Sequence, residues 1–145
     1  MNPYAAPVPD PSGNLFGTTH YGGTSDVGTV FELSPRTGGT WSESILHSFT
    51  QNGTDGAFPQ SSLASDSLGN LYGTTAGGGA DNLYGTVFEL IPASGGEWIE
   101  SVLIECNRQG YDPVAGVLLG ASGNLYGTTA QGGTNGGGTV FEITP

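Results

Sequence analysis

Gly69-Asn70-Leu71-Tyr72-Gly73-Thr74-Thr75 decides the reading of this chain, because the same phrase stands at Gly13 to Thr19, with Phe16 for Tyr72, and again at Gly123 to Thr129. The copies begin 56 and then 54 residues apart. After a Gly-rich stretch each is followed by a second phrase: Gly28-Thr29-Val30-Phe31-Glu32-Leu33, Gly85 to Leu90, and Gly138 to Ile143. Self-similarity at this period, built from short β-like runs, is the signature of propeller blades.

The middle copy reads as four strands. Ser61 to Asp66 is the first, Asn70 to Thr75 the second, Gly85 to Leu90 the third and Trp98 to Ile104 the fourth. Short runs of Val, Ile, Tyr, Phe, Trp and Thr between Gly and Pro clusters are strand and hairpin signals. Ala76 to Tyr84 reads as a long Gly-rich loop. In copy one Trp41, Glu43, Ile45, His47 and Phe49 alternate with Ser42, Ser44, Leu46 and Ser48, a half-polar pattern suited to an outer strand. The first strand of that copy is rich in proline (Pro7, Pro9, Pro11).

The expected fold is therefore all-β: propeller-like blades of four antiparallel strands, spanning residues 3–52, 53–106 and 107–145. The Trp-containing fourth strand seen at Trp41 and Trp98 has no third counterpart, so about three blades lacking one outer strand are expected. Closed propellers take four to eight blades. Completion is expected from another chain or from further repeats, as a closed oligomer or a filament joined through edge strands.

The residues quoted so far, with Trp-x-Glu-x-x-Leu and Asp-Gly or Gln-Gly ahead of Pro, resemble the GloVer-type tandem repeats of choice-of-anchor bacterial surface proteins. That resemblance covers Pro3 to Thr144 and implies a propeller-like fold, export and attachment at the cell surface. It implies no catalytic residues.

Composition narrows the partners. Two Lys plus Arg against 13 Asp plus Glu give a net charge of −11. Phosphate binding needs a basic footprint, so no nucleic acid is expected. No apolar run is long enough for a membrane helix, so no membrane insertion is expected. Met1-Asn2-Pro3-Tyr4 lacks the basic region and apolar core of a signal peptide, so the expectation is that a signal has been removed or that this is a segment cut from a longer protein.

Candidate chemistry is sparse. The Gly-rich loops at Tyr21-Gly22-Gly23, Gly77 to Gly79 and Gly132-Gly133 have no following helix or Lys, so they read as strand connections and not as phosphate cradles. Asp10 and Asp66 open oxygen-rich turns closed by Asn14 and Asn70. An Asx-type turn is the main reading there, and a Ca²⁺ ion the lesser one, since two side chains fall short of six to eight oxygens. Glu32, Glu89 and Glu142 recur on successive blades, a ring and not a catalytic pair. His20 and His47 have no repeat equivalents and lack metal-ligand spacing. Cys106, aligned with Asn52, reads as a small structural residue. Neither a catalytic residue, a cofactor nor a metal is expected.

The less regular Tyr21, Tyr84 and Tyr111 are the choice for stacking on a sugar, and Asn52-Gly53-Thr54 is a glycosylation sequon in an exported protein. The leading functional expectation is a non-enzymatic extracellular structural or adhesive module that self-associates. A multivalent carbohydrate-binding propeller stands second, and a glycan-active enzyme third.

Overall fold

The computed structural model describes residues 3–145. Among these there is no α-helix, only strands and one 3₁₀ turn at Ser94–Gly96. The first blade is β1 (Val8–Pro9), β2 (Leu15–Thr19), β3 (Thr29–Pro35) and β4 (Trp41–Ser48), antiparallel in that order. The second is β5 (Gly56–Pro59), β6 (Ala64–Ser65), β7 (Leu71–Gly78), β8 (Thr86–Pro92) and β9 (Trp98–Glu105). The third is β10 (Gly110–Tyr111), β11 (Leu118–Leu119), β12 (Leu125–Thr129), β13 (Gln131–Gly132) and β14 (Thr139–Ile143). None of the sheets closes on itself, and the fold is all-β with propeller-like blades.

The quoted phrases form the centre of each blade. Leu15–Thr19 pairs with Thr29–Leu33, Leu71–Thr75 with Thr86–Leu90, and Leu125–Thr129 with Thr139–Ile143. Each pairing ends on two threonines whose hydroxyls lie 2.8 Å apart: Thr19 with Thr29, Thr75 with Thr86, Thr129 with Thr139. In the first two blades these threonines are buried, and their mutual hydrogen bond satisfies groups that would otherwise be costly to desolvate. The middle Gly of the phrase is a packing requirement. A Cβ on Gly73 would stand 2.5 Å from the Phe88 ring, which lies across it from the neighbouring strand.

Three expectations are corrected. First, Ser61 to Asp66 is not one strand. The inner strand of blade two is split into β5 and β6, both pairing with β7, and the link at 60–63 leaves the ladder after Pro59, whose nitrogen cannot donate. Phe58, just before that proline, and Asp112, just before Pro113, share positive φ values of 59° and 61°. Second, Ala76 to Tyr84 is not all loop: β7 runs on to Gly78 because β5 extends the ladder there. Third, the alternation of the outer strand breaks. Val30 pairs with His47 but Phe31 with Ile45, so Leu46 is the extra residue of a bulge that moves Leu46 into the core and leaves Ile45 48% exposed. The same bulge recurs at Leu103.

The core lies between blades. Phe16, Val30 and Phe49 of blade one meet Leu63, Leu71, Phe88 and Leu90 of blade two. Tyr72 and Val87 of blade two meet Val117, Leu125 and Ile143 of blade three. Each blade thus has an outgoing face (Phe16/Tyr72/Tyr126, Val30/Val87/Val140) and an incoming one (Leu15/Leu71/Leu125, Phe31/Phe88/Phe141).

Candidate functional site

The grooves between blades are where polar side chains converge. The first, a cleft of about 440 Å³, is lined by Asp10, Asn14, Phe16, Glu32, Asp66 and Trp98 among others. The second, about 660 Å³, is lined by Asp66, Tyr72, Glu89, Asn124 and Pro145 among others. Asp10 and Asp66 stand at their mouths as Asx turns. Asp10 accepts from the Ser12 and Asn14 amides at 2.8 Å and from the Asn14 side chain at 2.9 Å. Asp66 accepts the equivalent bonds from Leu68 and Asn70. The carboxylates lean on backbone donors, the Asx geometry, and Gly120 replaces the aspartate in the third copy.

The recurring glutamates belong to their own sheets. Glu89 accepts from the Tyr72 hydroxyl and Glu142 from Tyr126, both at 2.9 Å, directly across the ladder. In blade one Phe16 has no hydroxyl, and Glu32 accepts from Ser34 instead. Burial, together with the Glu89 and Asp66 carboxylates, pushes the Tyr72 phenol above its ordinary range. The Asn124 and Tyr126 donors hold Glu142 below the usual value.

The polar constellation that breaks the repeat lies between β4 and β9. His47 Nε2 stands 3.2 Å from Asp55 Oδ1, and the buried Asp55 also accepts from Thr50 N (2.8 Å), Thr50 Oγ1 (3.0 Å) and Gly56 N (2.7 Å). Glu100 reaches toward this pair from blade two, with Oε1 out of solvent and without a hydrogen-bond partner. Among the described residues these three are the one set with ligand atoms within 4.8 Å of one another. They would supply three donors to a cation, yet the Asp55 oxygens are already engaged, and the arrangement reads as a hydrogen-bonded His47–Asp55 pair with a carboxyl beside it.

Burial opposes the charge on Asp55, but the His47 bond and charge and the Thr50 donors outweigh it and hold the group below 3.8. Glu100 moves the other way, to about 7, through burial and then the Asp55 charge. A carboxyl raised in the folded state contributes stability that is present below its ordinary value of 4.5 and is lost as pH rises through about 7. Asp55 works in the opposite sense, its contribution being lost as pH falls through its depressed value. Thermal melts of the wild type are therefore expected to drop by ~1 kcal/mol between pH 5 and pH 8, after discounting for the partial exposure of Glu100. In Glu100→Gln the drop is expected to shrink, and a variant that still follows the wild-type curve would contradict the assignment.

The structure separates the three tyrosines. Tyr21 is 42% exposed and sits edge-on to His20 (4.5 Å) and Phe58 (5.9 Å), and Tyr4 also lies against His20, its ring 4.9 Å away. Tyr84 and Tyr111 are half-buried and meet edge to face at 5.4 Å. They occupy the positions of the buried pair Val27 and Ala57 at the preceding groove. Asn52 is exposed and its side-chain oxygen caps the turn at Thr54 and Asp55. Cys106 corresponds to Phe49 and not to Asn52, since the Phe49 amide donates to Gly28 and the Cys106 amide to Gly85. Burial pushes its thiol up to about 11, which leaves little thiolate at neutral pH.

Sequence reading missed Asp55 and Glu100 as partners of His47. A signal was present: His47 and Asp55 are replaced by Ile104 and Gln109 one repeat later, while Glu100 repeats Glu43.

Stacked antiparallel blades define an all-β repeat module. The chain matches the Gloeobacter/Verrucomicrobia repeat over residues 1–145 and belongs to that family. None of the curated proteins matches it. No helix among the described residues is long and apolar enough to cross a membrane.

Proposed function

We propose that this chain is a non-enzymatic, extracellular structural or adhesive module that acts at the cell surface by associating with copies of itself. The observation that supports this reading is a disparity between equivalent residues. Val30 and Val87 are 0% exposed, whereas Val140, at the same place on blade three, is 80% exposed. A β-branched residue at that level of exposure, beside an unpaired β14 edge, is a surface suited to another blade. Membership of a repeat family fits the same reading. Light scattering on the purified chain tests it: an assembly is expected, and a compact monomer at every concentration would reject it.

A second reading, carbohydrate binding, is favoured by the rings around Tyr21. With His20 and Phe58 it lines a shallow pocket of about 290 Å³, and aromatic faces with a polar tip suit sugars. Glycan-array binding lost in Tyr21→Ala, and kept when Tyr84 and Tyr111 are changed, would support it. Glycan hydrolysis is the weakest reading, since Glu89 and Glu142 are each engaged by the hydroxyl of a tyrosine of their own sheet.

A further inference from the structure

The two grooves inside the chain are built by one rule, and the two outer faces carry the two halves of a third. At the first groove Pro59 Cδ lies 2.5 Å from where a Cβ of Gly28 would be. There the Thr18 hydroxyl donates to the Ser61 carbonyl at 3.1 Å, Trp98 packs edge-on to Phe16 at 6.0 Å, and Val30 is fully buried. At the second groove Pro113 Cδ lies 2.9 Å from the Gly85 position. The Thr74 hydroxyl donates to the Ala115 carbonyl at 3.1 Å, and Val87 is fully buried. Each joint thus seats a proline of the incoming blade on a positive-φ glycine of the outgoing one. A threonine hydroxyl then reaches the carbonyl two residues past that proline.

Every outgoing element recurs on blade three without its mate. Gly138 has φ 93°, and no proline approaches it. Thr128 is exposed, Val140 is 80% exposed and Tyr126 is 37% exposed. Every incoming element recurs on blade one, equally without its mate. Pro3 is exposed where Pro59 and Pro113 are buried, Ala5 stands two residues beyond it, and Trp41 is 50% exposed where Trp98 packs on Phe16. The match is of one face with the other, not of a face with itself, so the contact it makes is head-to-tail.

We infer that a second copy of this chain docks its incoming face on blade three through a third joint of the same design, and that two copies close into a six-bladed ring. In this joint Pro3 of one copy covers Gly138 of the other, the Thr128 hydroxyl reaches the Ala5 carbonyl, and Trp41 packs on Tyr126. The inference rests on the self-association reading above and supplies its partner, its residues and its stoichiometry. The stoichiometry follows from geometry: propellers close with four to eight blades, and six is the multiple of three within that range.

The test is multi-angle light scattering on the 145-residue chain, with Val140→Arg and Trp41→Arg, each alone and then mixed. Both side chains are exposed in the single chain, so both variants are expected to keep the wild-type circular dichroism and melting temperature. The wild type is expected at twice the 14.7 kDa chain mass and each variant at the single mass. Mixing the two variants is expected to restore a two-chain species, because one joint is then built from two undamaged faces. A contact of one face with itself gives no such rescue. A monomeric wild type overturns this inference and the self-association reading together. A two-chain wild type whose Val140→Arg variant is also two-chain, or variants that do not rescue each other, overturns the joint and leaves self-association standing. Filaments in place of a two-chain ring overturn the closure.

Discussion

Truncating Phe88 to alanine is expected to destabilise the fold by about 3–5 kcal/mol, and to lower the melting temperature by about 10 °C or more. Phe88 is 0% exposed, lies across Gly73 and meets Phe49 edge-on at 5.2 Å. Both flanking blades close over its sheet, so little can collapse into the space left behind. The same truncation at Phe141, the equivalent of Phe88 on blade three and only half-buried, is expected to cost clearly less. Denaturant unfolding of the two variants side by side checks this. Equal losses would show that position within the repeat, and not the neighbouring blade, sets the energy.

Gly85→Ala is the second large effect. Gly85 has φ 84°, a region in which a Cβ is strained by about 1–2 kcal/mol. A Cβ there would also run into the Thr75 carbonyl and stand 2.9 Å from Pro113 Cδ, in the seam between blades two and three. Strain and collision together are expected to cost about 3 kcal/mol or more. Gly95→Ala is the control. Gly95 has φ 85° but nothing within 4 Å of its Cβ position, so only the strain of about 1 kcal/mol remains. If the two variants melt together, packing at the Gly85–Pro113 seat contributes nothing and the joint is misdescribed.

The strand centres were legible in the sequence because their signal is local. Asn-Leu-Tyr-Gly-Thr-Thr and Gly-Thr-Val-Phe-Glu-Leu carry β-branched and aromatic residues in a fixed register, and their repetition removes the ambiguity of any one short run. Asp10 and Asp66 were legible as Asx turns for the same reason, their partners being only two and four residues away. The split inner strand was not legible. Whether Gly56–Pro59 joins the ladder depends on how far β7 continues past Thr75, and nothing in Gly77-Gly78 announces a strand. The bulges at Leu46 and Leu103 were hidden too, because a one-residue slip preserves an apolar pattern while exchanging its faces.

The polar cluster shows the divide most sharply. His47 and Asp55 lie eight residues apart, but Glu100 comes from the next blade, so no spacing in the chain relates it to them. Residue types and their period determined the class of fold, the number of repeats and which glycines and prolines recur, since these follow from backbone preferences within a few residues. Tertiary structure alone decided which face each recurring side chain meets. It buries Val30 and Val87 and leaves Val140 open, because burial depends on what lies across the groove and not on the residue or its neighbours along the chain.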